Sequence, residues 1–287
     1  NAGIKGFDTS NNTLTKNWFG DWFTDTTRND DAGNILLLGS CSFNTIEGNY
    51  CLGENAGQGI AITDYTLAGK APLGNSITNN HVANKRAYGI LLYTTDTAQP
   101  NSIDTRSIIT GNVINTIYGD YIGVTPGVGN SGAGIYMQGG DGAICSDNTV
   151  YDCNKLTSVF GTLAMAAIAV NITDESEAAP ILVTNNQVHT FSGPGIWGTS
   201  STERGILING NRVRVEKTTS GDDTGIILSA CSDSQVCNNT VRHQGLGTAI
   251  YINTSARDCE RINVSDNTVN SVGTGGDGIT FAQVTSG

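Results

Sequence analysis

One pattern constrains this chain more than any other: apolar-x-x-Asn-x-apolar recurs nine times along its 287 residues. The instances centre on Asn17, Asn49, Asn80, Asn112, Asn148, Asn186, Asn211, Asn239 and Asn267, so the steps between them are 32, 31, 32, 36, 38, 25, 28 and 28 residues. Asn is common in this chain, but background frequency does not give nine copies with apolar neighbours in phase. A period in this range marks a stack of similar units, none of which can bury its apolar face alone.

A second motif follows in eight of the nine repeats, a Gly or Ala and then two apolar residues around a variable one. Examples are Gly59-Ile60-Ala61-Ile62, Gly134-Ile135-Tyr136-Met137 and Ala249-Ile250-Tyr251-Ile252. Each unit therefore holds short period-2 strands separated by Gly, Asn, Ser and Asp turns, and no stretch carries a helical stripe. Such units stack as coils about 4.8 Å apart, joined by parallel ladders whose crossovers are right-handed. Asn suits the repeat because it tolerates a left-handed turn and its amide can bond to the same amide one coil away. The expectation is one all-β domain over residues 1–287, a right-handed single-stranded parallel β-helix (solenoid) of about nine coils with an Asn ladder.

The sequence Ile77-Thr78-Asn79-Asn80-His81-Val82 followed by Gly89-Ile90-Leu91-Leu92 resembles the repeats of the pectate-lyase-like right-handed parallel β-helix superfamily. The resemblance covers nearly the whole chain. It implies a protein that acts on or binds polysaccharide: a lyase, a glycosidase, an epimerase or a bacteriophage tailspike depolymerase. The Asp-Pro-His motif expected of mannuronan epimerases is absent from the sequence. The chain opens on a coil-like segment, Gly3-Ile4-Lys5-Gly6-Phe7, and ends just after a strand. Uncapped edge strands suit part of a longer polypeptide or an oligomer. With few charges and much Ser, Thr, Gly and Asn, the chain is most similar to the central β-helix of a tailspike. That implies a homotrimer on a virion tail or in the extracellular space.

Composition narrows the partners. Fifteen Lys and Arg against 26 Asp and Glu give a net charge of -11, which disfavours general nucleic-acid backbone binding. No run of 18 apolar residues could form a membrane span, and the first residues lack the n- and h-regions of a signal peptide. Seven cysteines, an odd number without zinc-site spacing, read as buried free thiols, with one or two disulfides as the alternative.

Length variation maps where chemistry could sit, because insertions project from a fixed face of a solenoid and wall any cleft. The two longest repeats lie in the middle of the chain. The variable position of the second motif forms a column that includes Leu91, Tyr136, Ala169, Trp197, Ile227 and Tyr251. Tyr136, Trp197 and Tyr251, with Tyr93, suit stacking on sugar rings; loop cover or a subunit interface would explain them equally. Just beyond these strands recur acids: Asp64, Asp96, Asp141, Asp174 with Glu175, Glu203 and Asp233. Solvated turn Asp is the bland alternative. Carboxylates one coil apart, about 5 Å, fit a retaining glycosidase, and those two coils apart approach the inverting range. Asp96, Asp141 and Asp174 are the candidate catalytic set for hydrolysis, and no cofactor is called for. The acids could also hold Ca2+. A lyase instead needs a cation and a base, for which Lys85, Arg86 and Tyr88, with His81 nearby, form the alternative set; Arg242-His243 is a weaker one.

Overall fold

A computed structural model of the chain describes residues 2–20, 33–53, 57–63, 72–85, 87–93, 106–117, 132–139, 142–153, 166–172, 180–191, 193–200, 205–216, 224–244, 247–253, 260–271 and 276–282. These residues form three parallel sheets of ten, nine and nine strands. Each coil contributes one strand to each sheet in turn, as in Tyr88–Tyr93, Ile108–Thr110 and Val113–Ile117. Every strand pairs with its counterparts one coil before and after, so the described coils number nine with a tenth strand, Ile279–Ala282, closing the first sheet. At about 4.8 Å per coil the stack is about 40 Å long.

The apolar residues of both motifs point inward from all three sheets. Ile60, Ile77, Val82, Ile90, Ile109 and Ile114 are fully buried in one continuous core running the length of the stack. Each such side chain contributes about 1.5–3 kcal/mol on burial, and the same position recurs coil after coil. Glycine opens the first-sheet strand for a steric reason. A Cβ on Gly134 would stand 2.3 Å from Val150 Cγ1 and 2.8 Å from the Ala167 carbonyl.

The corner between the second and third sheets is two residues long in all nine coils. Its first residue is left-handed every time: Lys16, Gly48, Asn79, Gly111, Asp147, Asn185, Gly210, Asn238 and Asp266, with φ between 54° and 70°. The ladder Asn follows it and is not itself left-handed, so the turn-forming role expected of that Asn belongs to its predecessor. The ladder Asn instead saturates hydrogen bonds. Asn112 Nδ2 donates to Asn148 Oδ1 at 3.0 Å and to the Ile77 carbonyl at 2.9 Å, while its Oδ1 accepts from the Asn80 amide at 3.0 Å and the Asn80 backbone N–H at 2.9 Å. The chain of amides runs unbroken from Asn17 to Asn267. A second, shorter ladder at the corner after the first sheet links Asn12, Asn44 and Asn75 and ends on Ser107.

The cysteines behave as small core residues. Cys41, Cys51, Cys145, Cys153 and Cys231 are buried free thiols and Cys237 is a half-buried one; Cys259 lies outside the described residues. Cys145 stands in register with Ile109 and Val183, where a third apolar side chain would do the same work.

Candidate functional site

The outward column read from the second motif exists in register. Leu36, Ala61, Leu91, Tyr136, Ala169, Trp197, Ile227, Tyr251 and Thr280 pair in succession across the first sheet. The connections flanking this sheet carry all the length variation of the coils, whereas the opposite corner is fixed at two residues. The first sheet is therefore the floor on which coil insertions can build walls.

That floor is apolar and largely covered. Leu36, Leu38, Ala61, Leu91, Tyr136 and Ala169 form a second buried cluster outside the core, with Tyr88, Tyr93 and Trp197 packed against it. Tyr136 stacks on Tyr88 with ring centroids 5.6 Å apart and on Tyr93 at 6.3 Å. Its hydroxyl donates to Gln138 Oε1 at 2.6 Å, and Asn171 donates to the same oxygen at 3.3 Å. Burial, reinforced by the neighbouring Tyr88, pushes the Tyr136 phenol far up from its usual value, so it holds its proton. Tyr136 is thus 8% exposed and supports its neighbours instead of offering an open sugar platform. Tyr93, Trp197 and Tyr251 are half-buried and keep an accessible portion. The Trp197 indole N–H is buried with no acceptor among the described residues. An unsatisfied donor of that kind costs about 1–3 kcal/mol unless a partner arrives.

The lyase set does not converge. Lys85 ends the third-sheet strand His81–Lys85, whose preceding residue Asn84 is left-handed (φ 58°). The same left-handed conformation recurs in register at Thr116 and Asp152, and each time the residue after it, Lys85, Ile117 or Cys153, is directed into the coil; Lys85 is fully buried there and its Nζ donates to the Gly53 carbonyl at 2.6 Å. Tyr88 lies on the outward face of the first sheet, and His81 on the outward face of the third, 6.0 Å from the Tyr50 ring. Arg86 lies outside the described residues. Arg242 and His243 likewise separate, the arginine exposed and the histidine buried.

Asp96, Asp141 and Asp174, with Asp64, Glu175 and Glu203, lie outside the described residues. The described member of that series, Asp233, is a turn residue with φ 51° whose two carboxylate oxygens accept from Nε and Nη2 of Arg261 on the next coil, at 2.5 and 2.8 Å. Those bonds hold its carboxyl below the usual range. Here the bland reading of a turn acid fits. Among the described residues no three His, Cys, Asp or Glu side chains gather as a metal site, and the acids named for Ca2+ are, apart from Asp233, not among them.

On the outward face of the third sheet the sequence alone pointed only to His81 and Arg242. Residues on either side of the inward Val alternate outward, so Asn-x-Val-x displays two columns per coil. One runs Trp18, Tyr50, His81, Val113, Thr149, Gln187, Arg212, Thr240 and the other includes Tyr151, His189, Arg214 and Arg242. Trp18 and Tyr50 are exposed and stack at 5.2 Å. Tyr151, His189, Arg212, Arg214 and Arg242 line a shallow hollow further along. The signal lay in Asn211-Arg212-Val213-Arg214 and Val241-Arg242 once the strand's inward residues were known.

Three parallel sheets wound in one coil, an inward Asn ladder and a strand floor edged by variable connections define a single-stranded parallel β-helix. Residues 74–218 match the family described as right-handed beta helix region. The chain belongs to that family, and its solenoid is right-handed. Among solved structures it is similar to the A-module of a mannuronan C-5 epimerase from Azotobacter vinelandii, with a TM-score of 0.51, 12% identity and coverage of 98% of this chain and 78% of that one. At that identity the likeness is one of fold. No curated protein matches the chain by sequence.

Proposed function

We propose that the protein is a carbohydrate-active β-helix that binds an extended polysaccharide along the outward face of its first sheet and depolymerises it. The observation that carries this reading is the set of half-buried aromatics Tyr93, Trp197 and Tyr251 on the outward face of the first sheet, which is flanked on both sides by the variable connections of the coil. Half-buried Tyr93, Trp197 and Tyr251 supply flat faces for sugar rings. The epimerase of similar fold acts, by its name, on mannuronan, a polysaccharide, which agrees with this substrate class.

The reaction we infer is hydrolysis of glycosidic bonds in a bacterial surface polysaccharide, by two carboxylates from Asp96, Asp141 and Asp174. One carboxyl protonates the leaving oxygen while the other attacks the anomeric carbon or activates water, according to their separation. Hydrolysis is preferred to β-elimination because Lys85, the lysine of the alternative lyase set, is buried and hydrogen-bonded inside the coil. We propose a tailspike-like homotrimer, on a virion tail or extracellular, as the setting.

Incubation with a panel of capsular and lipopolysaccharide preparations tests this. New reducing ends without absorbance near 230 nm are expected on at least one substrate, and Asp141→Asn and Asp174→Asn should abolish them. Absorbance would establish a lyase. Retained binding without either product would make the protein a glycan-binding β-helix, and no binding at all would refute the substrate class.

A further inference from the structure

We infer that the outward face of the third sheet is a second glycan contact, specific for acidic saccharides whose carboxylates are taken by Arg212, Arg214 and Arg242. It lies on a different sheet from the face proposed for depolymerisation and does not depend on that reading.

The first ground is charge. The chain carries -11 overall, yet this face gathers three exposed arginines on two adjacent strands, Arg212–Val215 and Thr240–His243. Arg214 and Arg242 are direct partners in register, and like charges opposite one another destabilise a sheet. The compensation on the page is partial. Glu216 accepts from Arg214 at 2.6 Å and lies 3.0 Å from His189 Nε2, one carboxylate beside three guanidinium groups. Arg212 makes no ion pair among the described residues. A row of cations held together with less than its own count of acids suits an anionic ligand.

The second ground is geometry. Arginine presents a planar fork that grips a carboxylate by two parallel hydrogen bonds, which makes it better suited than lysine to a sugar acid. Arg212 and Arg214 point outward from one strand, and Arg242 follows one coil on, about 4.8 Å away. A pyranose ring is about as long as that step, so a glycan lying along the axis presents successive rings to successive coils. The hollow beside the arginines is edged by Tyr151, Gln187, His189 and Thr240, and the Tyr151 ring gives a flat face for a sugar ring. Further along the same face, the stacked Trp18 and Tyr50 repeat the ring-binding chemistry without the charge.

Calorimetric titration of the whole protein with galacturonate oligomers, and with neutral malto-oligomers of equal length, tests the inference. The expected result is binding of the acidic oligomers alone, weakened at least tenfold by the double variant Arg212→Gln/Arg242→Gln and abolished by Arg212→Glu/Arg242→Glu. The first-sheet variant Trp197→Ala should leave that binding intact, which separates this contact from the proposed depolymerisation site. Because the arginines are exposed and replacing Arg242 relieves its repulsion with Arg214, melting temperatures should not fall with these losses. No binding of galacturonate oligomers, equal binding of the neutral series, or equal affinity for oligothymidylate of matched charge would each overturn the inference. So would a change in association state in the arginine variants without a change in glycan affinity, since the face would then be a subunit contact.

Discussion

Replacing Asn112 by alanine should be among the most damaging single changes in the chain. Asn112 is fully buried at the middle of the ladder. The substitution removes the acceptor of two Asn80 N–H groups, at 3.0 and 2.9 Å, and the donor to the Ile77 carbonyl at 2.9 Å. Asn148 Oδ1 loses one donor but keeps the backbone N–H of residue 112 at 3.0 Å, so it is not orphaned. Asn80 Nδ2 keeps its bond to the Ile46 carbonyl at 2.9 Å, so two buried groups, the Asn80 backbone N–H and the Ile77 carbonyl, lose those partners, and at about 1–3 kcal/mol each a lower bound of about 2 kcal/mol follows. Guanidinium unfolding followed by far-UV circular dichroism would measure it, with Asn115→Ala, half-buried on the outward third-sheet face, as a control expected to change little. Asn267→Ala, at the last rung and only half-buried, should cost less than Asn112→Ala. A loss under about 1 kcal/mol for Asn112→Ala would refute the claim that saturated ladder amides hold the corner.

Four further outcomes follow. Gly89→Val should prevent folding or cost several kcal/mol on overpacking, because even a Cβ there stands 2.5 Å from the Gly134 carbonyl and 2.6 Å from Ile114 Cγ2; soluble yield and melting temperature check it. Burial raises the Cys51, Cys145 and Cys153 thiols from 9 to about 12, so the native protein should resist a thiol reagent that labels it fully when unfolded. The same shift contributes stability that is complete below pH 9 and is lost as pH rises towards 12, because the folded state then keeps protons that the unfolded chain releases; alkaline unfolding checks the sign. Asp233→Asn should leave depolymerisation unchanged, since Asp233 is bound to Arg261 in a turn, and reducing-end release would show it.

Fold was legible in the sequence because it is written as repetition. Each apolar-x-x-Asn-x-apolar copy specifies the same inward pair and the same corner, so errors at one copy are corrected by the other eight. The outward column of the first sheet was legible for the same reason, since Gly-Ile-x-Ile alternates once its direction is known. What could not be read was conformation that the motif does not spell out. Asn84, like Thr116 and Asp152 in the next two coils, is left-handed and directs the residue after it, Lys85, into the core, and nothing in Asn84-Lys85-Arg86 announces that turn. Tyr136 looked open because stacking by Tyr88 and Tyr93 depends on neighbours one coil and several residues away. The third-sheet arginines form a face only once Arg212, Arg214 and Arg242 are known to point outward on neighbouring coils, which Arg242-His243 alone does not announce.

The central claim is that glycan lies on the first sheet between its variable connections. Hydrogen–deuterium exchange on the protein with and without an oligosaccharide from a depolymerised or bound substrate tests it most directly. Protection is expected in the strands Tyr88–Tyr93, Ala133–Gln138, Ile168–Ile172 and Ile196–Ser200, with the second-sheet strands unchanged. Protection confined to the second sheet, or none in those four strands, would contradict it.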